Sequence, residues 1–185
     1  KIEINDISAE IKSGIATVSE FITIYGEKEP LFDAHILYII GGNGVVDIEV
    51  AIKRTVEGEA LITAVPRIGL TVELDKKFNK FEYFGRGDRE CLSDFKAQSY
   101  VGLYESTVAE SHEPYIRPQD NSNHCDTKYV KLMSDSGEEV LIYSDKDFTF
   151  NIHNYSNLGY LGYQQNAVKS ILLLNSTANI DILFQ

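Results

Sequence analysis

The clearest structural signal in this chain of 185 residues is AHILYIIGGNGVVDIEVAI, residues 34–52. Apolar residues alternate with other residues on both sides of its centre, from Ala34 to Ile40 and from Val46 to Ile52. A period of two residues is typical of strands with one buried face. The central segment Gly41–Gly44 supplies residues that accept the positive φ angles of a tight turn. The stretch therefore predicts a β-hairpin.

The same alternation recurs along most of the chain. Further strands are predicted at Ile2–Ile4, Ile15–Tyr25, Ile68–Leu74, Phe78–Phe84, Tyr100–Val108, Tyr129–Met133, Glu139–Tyr143, Phe148–Ile152, Ile171–Leu174 and Ile180–Phe184. Asp135–Gly137 predicts a tight turn, and Arg89–Gln98 is the one segment with a helical suggestion. Because no repeat or linker interrupts the pattern, we expect residues 1–185 to form a single all-β, antiparallel sandwich.

The charge of the chain excludes some classes of partner. Seventeen Lys and Arg stand against 28 Asp and Glu, a net charge of -11. Such a chain lacks the basic surface that nucleic acid requires, and anionic membranes would repel it. No apolar run approaches the ~20 residues that span a bilayer. The two cysteines, Cys91 and Cys125, fit two free thiols in a reducing compartment or one disulfide, but no disulfide scaffold.

Two segments break the strand rhythm, and loops are where binding residues concentrate. Gly85–Asp94 is bracketed by glycines and carries five charged residues in ten positions, so we expect a surface loop at the edge of the sandwich. His112–Asp126 is a polar segment with two prolines and is also expected to be a loop. Any chemistry of the chain is expected in these two segments.

Metal and cofactor sites find little support in the sequence. Gly85-Arg86-Gly87 is a lone G-x-G, which fits a plain turn better than a phosphate cradle. Four residues of the second segment could ligate zinc, but their spacing matches no structural zinc pattern: His112, His124, Cys125 and Asp126. His35 and His153 lie inside strand patterns and are expected to pack or to form hydrogen bonds. We expect no metal and no cofactor.

Carboxylates are candidate catalytic residues, because glycosidases use two of them, about 5 Å apart in retaining enzymes. Glu90, Asp94 and Asp120 lie near aromatic and Arg residues and could line a site for sugar hydroxyls. No spacing identifies an acid and nucleophile pair. The residues alone therefore predict no enzyme.

Four motifs occur in a fixed order along the chain. They are VPRIGL at 65–70, YFGRG at 83–87 followed by Glu90 and Asp94, YIRPQDN at 115–121, and FTFNI at 148–152. This order resembles the C-terminal "small chain" domain of the large β-galactosidases of glycoside hydrolase family two. The motifs cover roughly half of the chain.

The resemblance implies a galactose-mutarotase-like supersandwich that packs against a barrel domain carrying the acid/base and nucleophile glutamates. It implies that this chain has no catalytic residue of its own and lends loops to the active-site rim. The candidate rim residues are Gly85, Arg86, Gly87, Glu90, Asp94, Arg117, Gln119, Asp120 and Asn121. The implied partners are the remaining domains of a parent enzyme and a β-galactoside or other sugar. The implied location is the bacterial cytoplasm.

The chain departs from the family pattern in the second motif, where Asp88, Cys91, Leu92 and Phe95 replace the usual Pro, Asn, Tyr and Arg. These changes bear on substrate specificity and on activity of the parent. The resemblance also implies missing strands at both ends of the chain. Ile180–Phe184 would then expose an apolar edge, so we expect self-association as a homodimer.

Two other functions are open from the sequence. One is a free-standing carbohydrate-binding β-sandwich, which would use an aromatic platform; the absence of Trp counts against it. The other is a mutarotase-like enzyme, which requires a His and a Glu or Asp on one concave face.

Overall fold

The computed structural model describes residues 1–64, 68–116, 121–154, 169–175 and 180–184. Every pairing between strands in this described part is antiparallel. The elements are β1 Ile2–Lys12, β2 Ile15–Tyr25, β3 Pro30–Gly41, β4 Val45–Arg54, α1 Val56–Leu61, β5 Leu70–Asp75, β6 Phe78–Gly87, β7 Tyr100–Thr107, β8 His124–Ser134, β9 Glu139–His153, β10 Lys169–Asn175 and β11 Ile180–Phe184. The predicted all-β, antiparallel fold class is confirmed.

The contacts divide the chain into two compact units. The first contains β1 to β4, α1 and most of β11, with the strand order β1-β2-β3-β4-β11. The second contains β5 to β10, with the order β7-β6-β8-β9-β10-β5. That residues 1–185 form one domain stays a prediction.

The hairpin predicted from the sequence is formed by β3 and β4. Ile36 lies opposite Val50, and Ile40 lies opposite Val46. At the turn, Gly44 has a φ of 86°, and its N–H donates to the carbonyl of Gly41 at 3.3 Å. The glycine is needed here because L-residues with a side chain rarely adopt this conformation.

One face of the first unit is strongly apolar. Paired residues of neighbouring strands lie on the same face, and one such row runs Ile4, Ile22, Ala34 and Ile52 across β1 to β4. Ile22 and Ala34 are buried. On β1, in contrast, four isoleucines are 59% to 80% exposed: Ile2, Ile4, Ile7 and Ile11. The edge strand β1 therefore presents an apolar surface in this chain.

The helix α1 was not predicted. Its N-cap is Thr55, whose hydroxyl accepts a hydrogen bond from the N–H of Gly58 at 2.9 Å. A Cβ at Gly58 would lie 2.0 Å from the carbonyl oxygen of Leu31, so the residue must be glycine. Six residues are too few for a helical period to show in the sequence. The helical suggestion at Arg89–Gln98 is wrong, since Leu92 and Phe95 form an isolated β-bridge there.

The core of the second unit lies on β6, β8 and β9. Its residues alternate along each strand and are at most 2% exposed: Phe81, Tyr83, Val130, Leu132, Val140, Ile142, Phe148, Phe150 and Ile152. The two strands predicted at Glu139–Tyr143 and Phe148–Ile152 form one continuous strand, β9. The polar run between them bulges out of the pairing with β8, where register shifts interrupt the ladder.

The two predicted loops need correction. Gly85–Asp94 was expected to be a loop throughout, but Gly85, Arg86 and Gly87 belong to β6 and pair with β7. A charged residue is tolerated in this strand because the Arg86 guanidinium is paired with Asp126. The predicted loop His112–Asp126 ends earlier than expected, since β8 begins at His124.

Candidate functional site

A cavity of about 240 Å³ lies within the second unit, where the predicted functional segments meet. Asp88, Arg89 and Glu90, which follow β6, form one part of its lining. Other parts come from β7, from the segment after it, and from His124 at the start of β8. Five carboxylates line the cavity: Asp88, Glu90, Glu105, Glu110 and Glu113. The site is therefore strongly acidic.

Glu90 is the buried carboxylate of this cavity, with 8% of its surface exposed. The hydroxyl of Tyr115 donates a hydrogen bond to its Oε1. The backbone N–H groups of Ser122 and Asn123 also donate hydrogen bonds to its carboxylate. Burial raises the pKa of Glu90 above its ordinary value, although the hydrogen bond from Tyr115 acts in the opposite direction.

His124 is the second buried polar residue of the cavity, with 4% of its surface exposed. Its Nδ1 lies 2.9 Å from the hydroxyl of Tyr83, and its ring packs on Tyr83 and Phe150 at centroid distances of 4.4 and 5.1 Å. Burial lowers the pKa of His124 to about 4, so the ring is neutral at pH 7. The ring also donates a hydrogen bond to the backbone carbonyl of Arg86. From the sequence, His124 was a candidate metal ligand and a candidate histidine of a mutarotase-like enzyme, and its place in the aromatic wall was not predicted.

The buried His124 is expected to make the protein less stable in acid. The unfolded chain binds a proton at this ring below its ordinary pKa of about 6.5, whereas the folded chain does so only near 4. The free energy of unfolding should therefore fall as the pH drops through this interval, by on the order of 3 kcal/mol from this residue.

The variant His124→Gln cannot take up this proton. Its free energy of unfolding should therefore fall less than that of the wild-type chain, by on the order of 3 kcal/mol over this pH interval. Urea unfolding of both proteins at about pH 7 and about pH 4.5 measures the difference. Glu90 shifts the pH dependence in the opposite direction, but it is present in both proteins and cancels. Equal losses in the two proteins would show that His124 is not buried in its neutral form.

An ion-pair network fixes the end of β6 to the start of β8. The Nε of Arg86 donates to Asp126 Oδ2 at 2.8 Å, and its guanidinium also donates to the carbonyl of Ser99 at 2.8 Å. Lys96 donates to the other oxygen of Asp126 at 2.5 Å. Partial burial raises the pKa of Asp126, but these hydrogen bonds outweigh it and lower the pKa below its ordinary value. Arg86, a predicted rim residue, thus holds the framework of the site.

Close packing explains the two glycines of the G-x-G. A Cβ at Gly85 would lie 2.6 Å from the hydroxyl of Thr127, and one at Gly87 would lie 2.0 Å from the hydroxyl of Tyr83. Because Tyr83 also contacts His124, any larger residue at 87 would displace the aromatic wall of the cavity. The sequence interpretation of Gly85 and Gly87 as turn glycines is wrong, and their requirement is steric.

The remaining predicted rim residues fall in three places. Asp94 is exposed in the segment after β6 and does not line the cavity. Asn121 is fully buried, and its side chain bonds the backbone of Glu113 in both directions, at 2.7 and 3.4 Å. Arg117, Gln119 and Asp120 lie outside the described residues, as do Val65, Pro66 and Arg67 of the first motif. Their roles at a rim stay predictions.

The two cysteines lie beneath this site and are both free and fully buried. The Cys125 backbone N–H donates to the Cys91 sulfur at 3.1 Å, and the Cys125 thiol donates to the Cys91 carbonyl at 3.2 Å. Asn123 completes the contact, since its side chain donates to the same carbonyl at 2.7 Å. These contacts hold Cys91, which replaces the usual asparagine and directly follows Glu90.

Metal ligation finds no support in the geometry of the described residues. Nowhere in that part of the chain do three His, Cys, Asp or Glu side chains come close enough to hold an ion. His35 forms a hydrogen bond with Ser19 at 2.8 Å and stacks on Phe21, which confirms its predicted packing role. Within the same described part, no helix has the length and apolar character needed to cross a membrane.

Comparison with known proteins matches this chain to one family. Residues 2–166 match the family described as beta galactosidase small chain. The beta-galactosidase of Staphylococcus xylosus is 27% identical over 152 residues, which are 82% of this chain and 14% of that protein. The beta-galactosidase of Vibrio cholerae is 33% identical over 119 residues, which are 64% of this chain and 10% of that protein.

A third relative shows a similar match. The beta-galactosidase of Kluyveromyces lactis is 30% identical over 136 residues, 73% of this chain and 12% of that protein. This chain thus spans about a seventh or less of the length of these relatives. The matched region contains β6, the cavity residues and the start of β8. With its all-β fold and a family match over most of its length, this chain belongs to the beta galactosidase small chain family.

Proposed function

We propose that this chain is a non-catalytic segment of a β-galactosidase, an enzyme that hydrolyses terminal β-galactosides. The observation that carries the proposal is the family match over residues 2–166, together with relatives that are about seven times longer than the matched segment. The catalytic carboxylates then belong to the remaining part of the enzyme. This chain contributes the shape and the hydrogen bonds of the active-site rim.

The segment between β6 and β7 supports the rim role. Its start is anchored, since Glu90 and Cys91 are buried, while Leu92 to Phe95 project into solvent. A segment held at its base and exposed at its tip suits contact with a substrate or a neighbouring domain. Asp94 is the charged residue of this tip. It is exposed, so its replacement should leave the fold of the chain intact.

In the complete enzyme, Asp94→Ala is expected to lower kcat/KM for a chromogenic β-galactoside about tenfold or more. A hydrogen bond to a charged group contributes about 1.5–3 kcal/mol, and the loss of one such bond to the sugar has this effect. Asp145→Ala is the matched control, because Asp145 is an exposed aspartate in the bulge of β9. Equal kcat/KM values for the two variants would remove Asp94 from the rim.

The exposed isoleucines of β1 support a second part of the proposal, a contact with another protein surface. Exposed apolar patches of this kind mark interaction sites, and the unpaired edge of a strand pairs readily with another chain. We propose that this edge contacts the remaining domains of the enzyme or, in the isolated chain, a second copy of the chain.

Sedimentation of the isolated chain at micromolar concentrations tests this assignment. The wild-type chain should form a dimer, and the variant carrying Ile4→Lys and Ile7→Lys should be monomeric, because lysine on an edge strand opposes pairing. Glu3→Lys is the control for the added charge. A strictly monomeric wild-type chain would contradict this part of the proposal.

The cavity itself gives a specific reason to keep a second candidate, a mutarotase-like enzyme. His124 and Glu90 line the same cavity, which meets the requirement for a His and a carboxylate on one concave face. However, the low pKa of His124, about 4, leaves little of the protonated ring at pH 7 for acid catalysis. Polarimetry of freshly dissolved α-galactose tests this function, since only a mutarotase would speed the change in optical rotation.

A further inference from the structure

The chain contains two cysteines, and the fold brings them into contact although they lie 34 residues apart in the sequence. The Cys125 N–H donates to the Cys91 sulfur at 3.1 Å, and the Cys125 thiol donates to the Cys91 carbonyl at 3.2 Å. Each sulfur is therefore within hydrogen-bond distance of the backbone of the other residue. Two cysteines can be joined without backbone displacement only when their backbones lie close together in this way.

Asn123 holds the two segments in this register. Its carbonyl accepts a hydrogen bond from the Cys91 N–H at 2.7 Å, and its side-chain nitrogen donates to the Cys91 carbonyl at 2.7 Å. The same nitrogen lies 3.5 Å from the Cys125 sulfur. Both cysteines are fully buried, and Asn123 is also buried. The contact between the two cysteines is therefore fixed by the fold and is not a chance meeting of surface side chains.

The surroundings of the pair favour Cys91 as the thiol that ionises. The hydrogen bond with the Cys125 side chain lowers the pKa of Cys91 below its ordinary value, and the Cys125 N–H and the Arg86 guanidinium act in the same direction, against the effect of burial. The same hydrogen bond raises the pKa of Cys125. The thiolate is the nucleophile in thiol–disulfide exchange. The pair thus combines an attacking thiol with a second thiol beside it.

The pair lies just below the surface of the second unit. Leu92, which follows Cys91, is 36% exposed, and the side chain of Asp126, which follows Cys125, is 27% exposed. A small reagent therefore needs only a local opening of the segment after Cys91 to reach the sulfurs. Local openings of loop segments cost much less free energy than the unfolding of core strands.

We propose that Cys91 and Cys125 form a disulfide when the chain meets a low-molecular-weight disulfide such as oxidised glutathione. The Cys91 thiolate attacks one sulfur of the reagent, whose S–S bond breaks, and one glutathione leaves as its thiol with the proton that Cys91 has lost. The Cys125 sulfur, after loss of its proton, attacks the Cys91 sulfur and displaces the second glutathione, which takes that proton. The two protein thiols are thereby oxidised by two electrons, and the reagent is reduced to two thiols.

The bond joins the two segments that carry the buried polar residues of the cavity. Cys91 directly follows Glu90, and Cys125 directly follows His124. A covalent link between them closes a long loop, which restricts the unfolded chain more than the folded chain and so stabilises the fold. The proposal rests on contacts within this chain and holds independently of the function proposed above.

Equilibration of the 185-residue chain with mixtures of reduced and oxidised glutathione tests the proposal. Alkylation of the remaining thiols, followed by mass spectrometry, separates the reduced chain, the mixed disulfide and the internally linked chain. The equilibrium constant for the internal disulfide should be at least about tenfold larger in buffer than in denaturing urea, because the fold already holds the two sulfurs together. A ratio below this value would show that the fold does not favour the bond and would overturn the proposal.

Single-cysteine variants test the order of the two attacks. Cys125→Ala should stop at a mixed disulfide between Cys91 and glutathione, whereas Cys91→Ala should form its adduct at least about tenfold more slowly. Equal rates in the two variants would overturn the assignment of Cys91 as the attacking thiol. If either variant fails to fold, peptide mapping of the wild-type chain, quenched early in the reaction, replaces this comparison. The first glutathione should be found on Cys91, and its presence on Cys125 would overturn the assignment.

Discussion

Replacement of Phe81 by alanine is expected to lower the free energy of unfolding by about 3–5 kcal/mol, among the largest losses expected from a single substitution in the described part of the chain. The Phe81 side chain is fully buried. Its ring contacts Tyr83 and Phe150 at centroid distances of 5.9 and 6.0 Å, the latter edge to face, and lies 6.3 Å from His124. Alanine leaves a cavity and removes these aromatic contacts, each worth about 0.5–1.5 kcal/mol.

Phe84→Ala is the matched control, because Phe84 lies on the same strand but is 39% exposed. Its loss should be less than half as large, since less of its surface is removed from water. Chemical unfolding at pH 7, followed by far-ultraviolet circular dichroism, measures both variants. Similar losses for the two would contradict the difference in burial between Phe81 and Phe84.

Phe81 also supports the residues that form the wall of the cavity. Phe81 packs on the two residues, Tyr83 and His124, that form the apolar wall of the cavity. A cavity at position 81 gives these rings space to move, and the hydrogen bond between Tyr83 and His124 loses its support.

The strands were predictable from the sequence, because strand formation follows local alternation. The hairpin of β3 and β4 is the clearest case, since its alternation and its turn glycines act within twenty residues. The bulge in β9 was missed because its polar run looks like a strand end. The strand β9 continues past this run because it pairs with β8 on both sides of it. The local sequence pattern does not show this pairing.

The site was predictable only in part, because its pairings are distant in the sequence. Arg86 belongs to a strand since Asp126, forty residues later, neutralises it. Glu90 and His124 come from separate segments and meet only in the folded chain. The resemblance to the β-galactosidases identified the segment around Glu90, and the family match confirmed that resemblance. The requirement for glycine at 87 depends on Tyr83, and no sequence pattern expresses such a contact.

The second large effect expected from the proposed function is a difference in catalysis between this chain and the longer β-galactosidase to which we assign it. Most glycoside hydrolases use two carboxylates, placed on either side of the scissile bond. No spacing in this sequence identifies such a pair, and the chain covers about 14% of the length of the beta-galactosidase of Staphylococcus xylosus. Enzymes accelerate reactions by at least about a millionfold, so loss of the catalytic pair abolishes detectable turnover.

Hydrolysis of a chromogenic β-galactoside by the purified chain, beside the protein encoded by the complete reading frame, tests this account most directly. The complete protein should turn over the substrate, and the chain of 185 residues should release no product above the uncatalysed rate. Turnover by the chain alone at an enzymatic rate would contradict its non-catalytic role. An inactive but folded complete protein would contradict its place in a β-galactosidase.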